Sequence, residues 1–118
     1  MEREQLFQEL LQLEADFCSA LSEPTRLLIL YTLHESPRTV NELSADLGLP
    51  QPNVSRHLKV LRERGLVQAA RRGTFVTYQL ADERLIQALD LLRSVMRDRV
   101  TRQASIVHSI PSLVEENV

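Results

Sequence analysis

The stretch that decides the fold is residues 40–67, which read VNELSADLGLPQPNVSRHLKVLRERGLV. Its first part contains Leu43 and Leu47, which are four residues apart and therefore share one face of a short helix. Gly48 comes directly afterwards, where helices commonly end on a left-handed residue that glycine adopts at little cost. The pattern predicts a short helix that ends at this glycine.

A second helix is predicted to begin near Gln51 and to end at Gly65. Apolar residues recur along it at spacings of four and three, as on one buried helical face: Val54, Leu58 and Leu61. Two short helices joined by a tight turn that contains glycine form the helix-turn-helix pattern, whose second helix enters the major groove of DNA.

Two strands are predicted after this helix, from Leu66 to Ala70 and from Phe75 to Leu80. The residues between them, Arg71-Arg72-Gly73-Thr74, are predicted to form the tip of a hairpin. A helix-turn-helix followed by a hairpin with a basic tip is a winged helix-turn-helix. The predicted fold class is therefore mainly α with a small β-hairpin.

Positive charge is concentrated in the same region. Residues 51–79 carry six basic side chains and one acidic one, a net charge of +5, whereas residues 1–50 carry −6 and residues 80–118 carry −1. The six are Arg56, Lys59, Arg62, Arg64, Arg71 and Arg72. The overall pI of 5.9 conceals a local basic region of the kind that neutralises phosphates. A solvated charged helix face is the alternative, and the coincidence of the charge with both predicted elements weakens it.

Length and composition suit one domain of an ordinary globular protein. The chain has 118 residues, of which 43% are hydrophobic and 25% charged, and no apolar run is long enough to span a bilayer. The charged N-terminus does not resemble a signal peptide, and the single cysteine, Cys18, cannot form an intrachain disulfide. We expect a cytoplasmic protein with a DNA-binding and dimerisation domain at residues 1–104 and a C-terminal tail at residues 105–118.

Long amphipathic helices are predicted at both ends of that domain. The first covers residues 2 to about 20 and carries a stripe of Leu6, Leu10, Leu13, Phe17 and Leu21. The last begins at Ala81-Asp82-Glu83, extends to about Gln103 and carries Leu85, Leu89, Leu92 and Met96. Both apolar faces are wider than one small domain needs, so the sequence predicts a two-fold homodimer.

A core helix and a cap are predicted between the first helix and the helix-turn-helix. Ser22 or Glu23 is the N-cap of the core helix, because Pro24 suits a first turn. Thr39 is then the predicted N-cap of the next helix, and Glu42 three residues later completes a capping box.

Three segments resemble the ArsR/SmtB family of bacterial winged-helix repressors: residues 20–30, 47–67 and 71–80. The resemblance runs from about Ala20 to Leu80, and the flanking helices fit in length and place. It implies a homodimer with elements in the order α-α-α-αR-β-β-α, which represses transcription and releases DNA on sensing a cue. No cofactor is expected.

The resemblance places the start of the DNA-reading helix at Gln51 and includes Pro52, Asn53, Ser55 and Arg56 in it. The helical spacing independently puts four residues opposite the apolar face: Pro52, Ser55, Arg56 and Lys59. Gln pairs with adenine and Arg with guanine through two hydrogen bonds each, so Gln51 and Arg56 are the expected base contacts.

The remaining candidate DNA contacts are expected to meet phosphates or the minor groove: Lys59, Arg71, Arg72 and Tyr78, with Thr74 at the hairpin tip. For His57 two interpretations stay open, a DNA contact or packing in a local network beside the helix. Pro50 stands where the family often has serine, which should stiffen the start of the helix.

The family's usual sensing sites have no counterpart in this sequence. Metal-sensing members often carry Cys-Val-Cys where this chain has Thr39-Val40-Asn41, and neither end residue supplies a thiolate. Glu83 to Gln103 contains no histidine for a zinc site on the last helix, and one cysteine cannot form a sensing disulfide. Two residues remain as sensor candidates: Cys18, and His108, which could form part of a metal site with Glu115 and Glu116. The favoured interpretations are that Cys18 is a small buried hydrophobe and that His108 is a solvated residue of the tail.

Two other classes of function are considered. A winged-helix module that binds protein instead of DNA would not need the basic recognition face, and salt-dependent binding to duplex DNA distinguishes the two. An enzyme is disfavoured because the sequence shows no Gly-rich phosphate loop, no metal cluster and no nucleophile–base pair.

Overall fold

The computed structural model of the chain describes the backbone of residues 2–109 and the side chains of residues 2–103. The chain divides into two units, residues 1–83 and residues 84–118. Of the described helices, none has both the length and the apolar character needed to cross a membrane.

The first helix, α1, is helical throughout but not α-helical throughout. It consists of an α-helix over Arg3–Leu13, a π-helical turn over Glu14–Cys18 and a last α-helical turn over Ser19–Leu21. At the π-turn the Ser19 N–H donates to the carbonyl of Glu14, five residues back. Ala20 is the one fully buried residue of α1. Of its predicted apolar stripe, Leu21 is half-buried, whereas Leu6, Leu10, Leu13 and Phe17 are exposed within one chain.

The core helix, α2, spans Pro24–Glu35. Its N-cap is Glu23, whose carboxylate accepts a hydrogen bond from the Thr25 N–H at 3.0 Å, and Pro24 occupies the first turn as predicted. The buried face of α2 consists of Ile29, Leu30 and Leu33, whereas Leu28 is 54% exposed. The helix is therefore central, though not buried all round.

The helix-turn-helix consists of α3, Val40–Leu47, and α4, Gln51–Glu63. The predicted capping box is confirmed, because Thr39 Oγ1 accepts from the Glu42 N–H at 3.2 Å while Glu42 Oε1 accepts from the Thr39 N–H at 3.0 Å. Gly48 is also confirmed as the left-handed residue after α3, with φ of 66°.

The wing is a two-stranded antiparallel hairpin of β1, Val67–Arg72, and β2, Phe75–Leu80. The predicted four-residue tip is wrong, because Arg71 and Arg72 belong to β1 and the turn is Gly73-Thr74 alone. Gly73 has φ of 62°, and no non-glycine residue of the described chain has positive φ. This combination matches a type II′ turn, which suits the twist of paired strands.

A backbone bridge joins the wing to the segment before α3. The Tyr78 N–H donates to the Arg38 carbonyl at 2.7 Å, and the Arg38 N–H donates to the Tyr78 carbonyl at 3.0 Å. Arg38 also pairs with the carboxylates of Asp46 and Glu35. These contacts fix the wing relative to the helix-turn-helix.

The second unit contains the last helix, α5, which spans Arg84–Ser109. It extends at least six residues beyond the predicted Gln103, and the backbone of His108 is part of it. The rest of the predicted tail, residues 110–118, lies outside the described residues. Among residues 84–103 of α5, five large apolar side chains are more than half exposed: Leu91, Leu92, Val95, Met96 and Val100.

The capping box generates the first prediction. Thr39→Ala removes the acceptor for the Glu42 N–H and should lower the free energy of unfolding by about 1 kcal/mol, measured by urea denaturation. Thr39→Ser is the matched control, because it keeps the hydroxyl and should unfold near the wild-type midpoint. Equal losses in the two variants would contradict the role of the hydroxyl.

Candidate nucleic-acid interface

Helix α4 has one buried face and one exposed face. Val54, Leu58 and Leu61 are 0%, 1% and 0% exposed. The opposite face consists of residues that are all exposed: Pro52, Ser55, Arg56 and Lys59. The helix is therefore held by its apolar side chains and presents its polar side chains to solvent, as the sequence predicted.

Two polar side chains near the start of α4 have protein partners. The Gln51 side-chain amide donates to the side-chain oxygen of Asn41 on α3. Arg56 Nη2 donates to Asn53 Oδ1 at 3.2 Å on the same helix. Both expected base-contacting residues are thus oriented before any ligand binds. The sequence did not reveal the role of Asn41, whose partner lies ten residues away.

Two basic residues, Lys59 of α4 and Arg64 directly after its end, form weaker contacts. Lys59 Nζ lies 4.0 Å from Glu63 Oε1, one helical turn away, and both side chains are mostly exposed. Arg64 Nη1 lies 3.9 Å from Asp16 Oδ1 in the π-turn of α1. Such exposed pairs contribute little to stability and leave the cations free to exchange partners.

The wing presents a second basic group. Arg71, Arg72 and Thr74 are exposed, and Arg72 is directly opposite Phe75 in the strand register. Phe75 is 66% exposed, although it is a large aromatic residue beside a two-residue turn. A cleft of about 620 Å³ between the start of α3 and the wing is lined by Val40, Arg72 and Phe75 among others. The sequence pattern predicted only that Phe75 lies in a strand, and not that its ring is exposed.

Tyr78 occupies a different part of the wing from the arginines. Its side chain is half-buried, and its backbone pairs with both Ala69 and Arg38. The structure therefore gives Tyr78 a role in fixing the wing and leaves part of its side chain accessible.

His57 contacts the protein on its inner side. Its Nδ1 lies 3.4 Å from Arg26 Nη1 of α2, and the ring is half-buried. Burial and the Arg26 guanidinium lower the pKa of His57 below its ordinary value of about 6.5. Glu23 raises the pKa and Arg56 lowers it, both as smaller effects. The imidazole is therefore neutral at pH 7.

A sequence profile described as "Bacterial regulatory protein, arsR family" matches residues 23–69. The uncharacterized HTH-type transcriptional regulator Rv0081 of Mycobacterium tuberculosis is 34% identical over 111 residues, which cover 93% of this chain and 94% of that protein. The chain belongs to the ArsR family. The expectation from the sequence is therefore confirmed at the level of family and fold.

Solved structures of ArsR-like proteins share the fold. The crystal structure of Rv0081 matches with a TM-score of 0.72 and 35% identity, over 80% of this chain and 96% of that chain. The solution structure of Mb0332 from Mycobacterium bovis, described as a homodimeric winged helix-turn-helix DNA-binding domain, matches with a TM-score of 0.73 and 27% identity, over 86% and 93%. The repressor SmtB of Mycobacterium tuberculosis is 44% identical over 77 residues, 65% of this chain and only 57% of SmtB.

Thr39 and Asn41, compared in the sequence with the Cys-Val-Cys pattern, have structural roles. Thr39 caps α3, and Asn41 accepts the hydrogen bond from Gln51. Cys18 is exposed in the chain, so the prediction that it is a small buried hydrophobe is wrong. The reason is that it lies on α1, where the chain fully buries Ala20 and leaves most other side chains exposed. The side chain of His108 lies outside the described residues.

Proposed function

We propose that this ArsR-family protein is a dimeric, sequence-specific transcriptional repressor that binds operator DNA. The observation that carries the proposal is the exposed polar face of α4, held in place by a buried apolar face and accompanied by a basic wing. We propose neither an enzymatic activity nor a cofactor for it. We propose the cytoplasm as its location, because bacterial operator DNA lies there.

In this proposal the polar face of α4 enters the major groove. Gln51 and Arg56 are the base-reading residues, because their amide and guanidinium groups form paired hydrogen bonds with base edges. Asn41 and Asn53 hold these two side chains in the free protein. Pro52, Asn53 and Ser55 lie at the base edges with them, and Lys59 meets a phosphate. Ordering these side chains beforehand reduces the entropy lost on binding.

The wing meets the DNA backbone beside the major groove. Arg71, Arg72 and Thr74 are exposed at its tip, and Tyr78 lies at its base. Contacts of this kind position the protein without reading sequence. Phosphate neutralisation by the wing should make affinity depend strongly on salt.

The dimer is proposed from apolar faces that a single chain leaves uncovered. On α1 the side chains of Leu6, Phe7 and Leu10 are 45%, 58% and 49% exposed. On α5 the exposed fractions of Leu92 and Met96 are 62% and 61%. Apolar faces of this extent are typical of interfaces between subunits. The Mb0332 fragment described above is also homodimeric.

We further propose that release from DNA does not depend on the metal sites common in the family. The two positions where other members have cysteine are Thr39 and Asn41, and both side chains already have hydrogen-bonded partners. Zinc sites require Cys, His or carboxylate ligands in tetrahedral groups. Neither a threonine hydroxyl nor an asparagine amide replaces a thiolate for soft metals.

The base-reading assignment predicts a difference between two arginine variants. Arg56→Ala should cost about 1–3 kcal/mol on the operator and little on scrambled DNA, because a base contact is lost. Arg72→Ala should weaken binding to both DNAs alike and reduce the salt slope by about 1. Titrations on the two DNAs at several salt concentrations provide the measurement. Equal losses on both DNAs for Arg56→Ala would exclude base reading by that residue.

The dimer assignment predicts that a charge placed on the apolar face of α5 dissociates the protein. Leu92→Glu should shift the mass toward the monomer in sedimentation equilibrium, because the charge would be buried in the interface. Gln87→Glu adds the same charge at an exposed polar position of the same helix and should leave the mass unchanged. A wild-type monomer at micromolar concentration would contradict the assignment.

The sensing assignment predicts that zinc, cadmium, arsenite and antimonite do not release the protein from its operator. DNA-binding titrations in the presence of each ion test it, with peroxide included as a probe of Cys18. Release by micromolar zinc that Cys18→Ser or His108→Ala abolishes would show a metal site in this chain.

A further inference from the structure

Arg26 connects three parts of the first unit through one guanidinium group. Its Nε donates to the Ala20 carbonyl at 2.6 Å and its Nη2 to the Ser19 carbonyl at 3.3 Å, both at the end of α1. Its Nη1 lies 3.4 Å from Nδ1 of His57 on α4. The two carbonyls fix the plane of the guanidinium, and the plane in turn fixes where the third N–H points.

The contact with His57 determines which ring nitrogen carries the proton. A guanidinium has only donors and does not lose its proton in proteins. Nδ1 of His57 must therefore be the acceptor, which places the proton of the neutral ring on Nε2. His57 is neutral at pH 7 because burial and Arg26 disfavour its charged form.

The Nε2–H group of His57 reaches solvent. Within the described chain, Nε2 forms no hydrogen bond. Every buried side-chain nitrogen or oxygen atom there has a hydrogen-bond partner, so an atom without one cannot be buried. Nε2 is therefore accessible, and it lies on the helix that presents Ser55, Arg56 and Lys59 to solvent. In the free protein water accepts from this donor, and an acceptor outside the chain can replace that water.

We propose that Arg26 holds His57 in its Nε2–H tautomer and that this N–H donates to a phosphate oxygen of the operator. Arg26 is then a positioning residue and His57 a DNA contact. The inference rests on the proposed function and deepens it. Both interpretations of His57 then hold, because the hydrogen bond at Nδ1 fixes the tautomer in which Nε2 donates to DNA.

A phosphate is favoured over a base edge by the place of His57 on the helix. His57 lies at the border of the buried face, beside α2, whereas the base-reading residues lie on the fully exposed face. Arg26 in the first turn of α2 adds a fixed cation next to the ring. The described carboxylate that acts on His57, that of Glu23, accepts a hydrogen bond from the Thr25 N–H.

The tautomer is tested first, without DNA, by long-range proton–nitrogen NMR of the full-length protein at pH 8. His57 should show a protonated Nε2 and a bare Nδ1. His34 is an internal reference of the opposite kind, because its Nδ1 lies 2.7 Å from Glu83 Oε2 and must donate to that carboxylate. Arg26→Lys should leave the His34 signals unchanged and give His57 a mixture of tautomers. A protonated Nδ1 on wild-type His57 would overturn the proposal.

The DNA contact is tested with two substitutions that each keep one edge of the ring. His57→Gln places an amide near Nε2 and retains an outward donor, whereas His57→Asn places an acceptor near Nδ1 and loses that donor. His57→Asn should lose about tenfold or more in affinity, as for a hydrogen bond to a charged group, and His57→Gln should lose less. His34→Asn is the control outside α4. Equal losses in the two His57 variants, with spectra that show both folded, would overturn the donor role.

Operator and scrambled DNA distinguish a phosphate from a base. A phosphate contact predicts the same fold loss of affinity for His57→Asn on both DNAs, and a loss confined to the operator would overturn the phosphate assignment.

The coupling of Arg26 to His57 is tested with a double variant. Arg26→Lys alone should weaken DNA binding, but the same substitution should add little to the loss caused by His57→Asn, because the two residues act through one hydrogen bond. Additive losses would overturn the coupling. A wild-type protein that binds no DNA would refute the proposed function, while the tautomer result would stand by itself.

Discussion

The arrangement of this protein depends on the burial of three side chains of α4. Val54, Leu58 and Leu61 are almost completely removed from solvent, and each contributes about 1.5–3 kcal/mol to folding. A short helix anchored in this way cannot rotate about its axis without exposing apolar surface. Its other face is therefore directed outward as a fixed set of hydrogen-bonding groups. The neighbouring elements refine that orientation, with Asn41 of α3 and Arg26 of α2 each contacting one polar residue of α4.

Most of the fold follows from local rules that the sequence displays openly. The capping box of Thr39 and Glu42, the left-handed Gly48 and the apolar spacing of α4 each depend on residues within a few positions of one another. Local signals of this kind act in the same way wherever the chain folds. The apolar stripes of α1 and α5 could also be predicted from the sequence. An amphipathic helix shows the same spacing of apolar residues whether its apolar face is covered by its own chain or by a second one.

The features that the sequence did not reveal depend on contacts between distant residues or on small backbone choices. Arg26 is one of two charged residues in a largely apolar helix, and no local pattern indicates its partner His57, which lies 31 positions away. The hairpin tip was predicted two residues too long. Arginine suits a strand and a turn about equally, so only the pairing register of the two strands decides that Arg71 and Arg72 belong to β1. Cys18 was expected to be buried because it stands on an apolar stripe. That stripe is exposed in the single chain, and the π-turn at Glu14–Cys18 has no clear sequence signal.

The central claim is that α4 reads a two-fold symmetric operator, and selection of bound duplexes from a random DNA library tests it most directly. The account predicts enrichment of an inverted repeat whose half-sites lie about one helical turn, or a multiple of it, apart. Arg56→Ala should relax the same base pair in both half-sites. Failure to enrich any sequence, or enrichment of a single asymmetric site that Arg56→Ala leaves unchanged, would contradict the account.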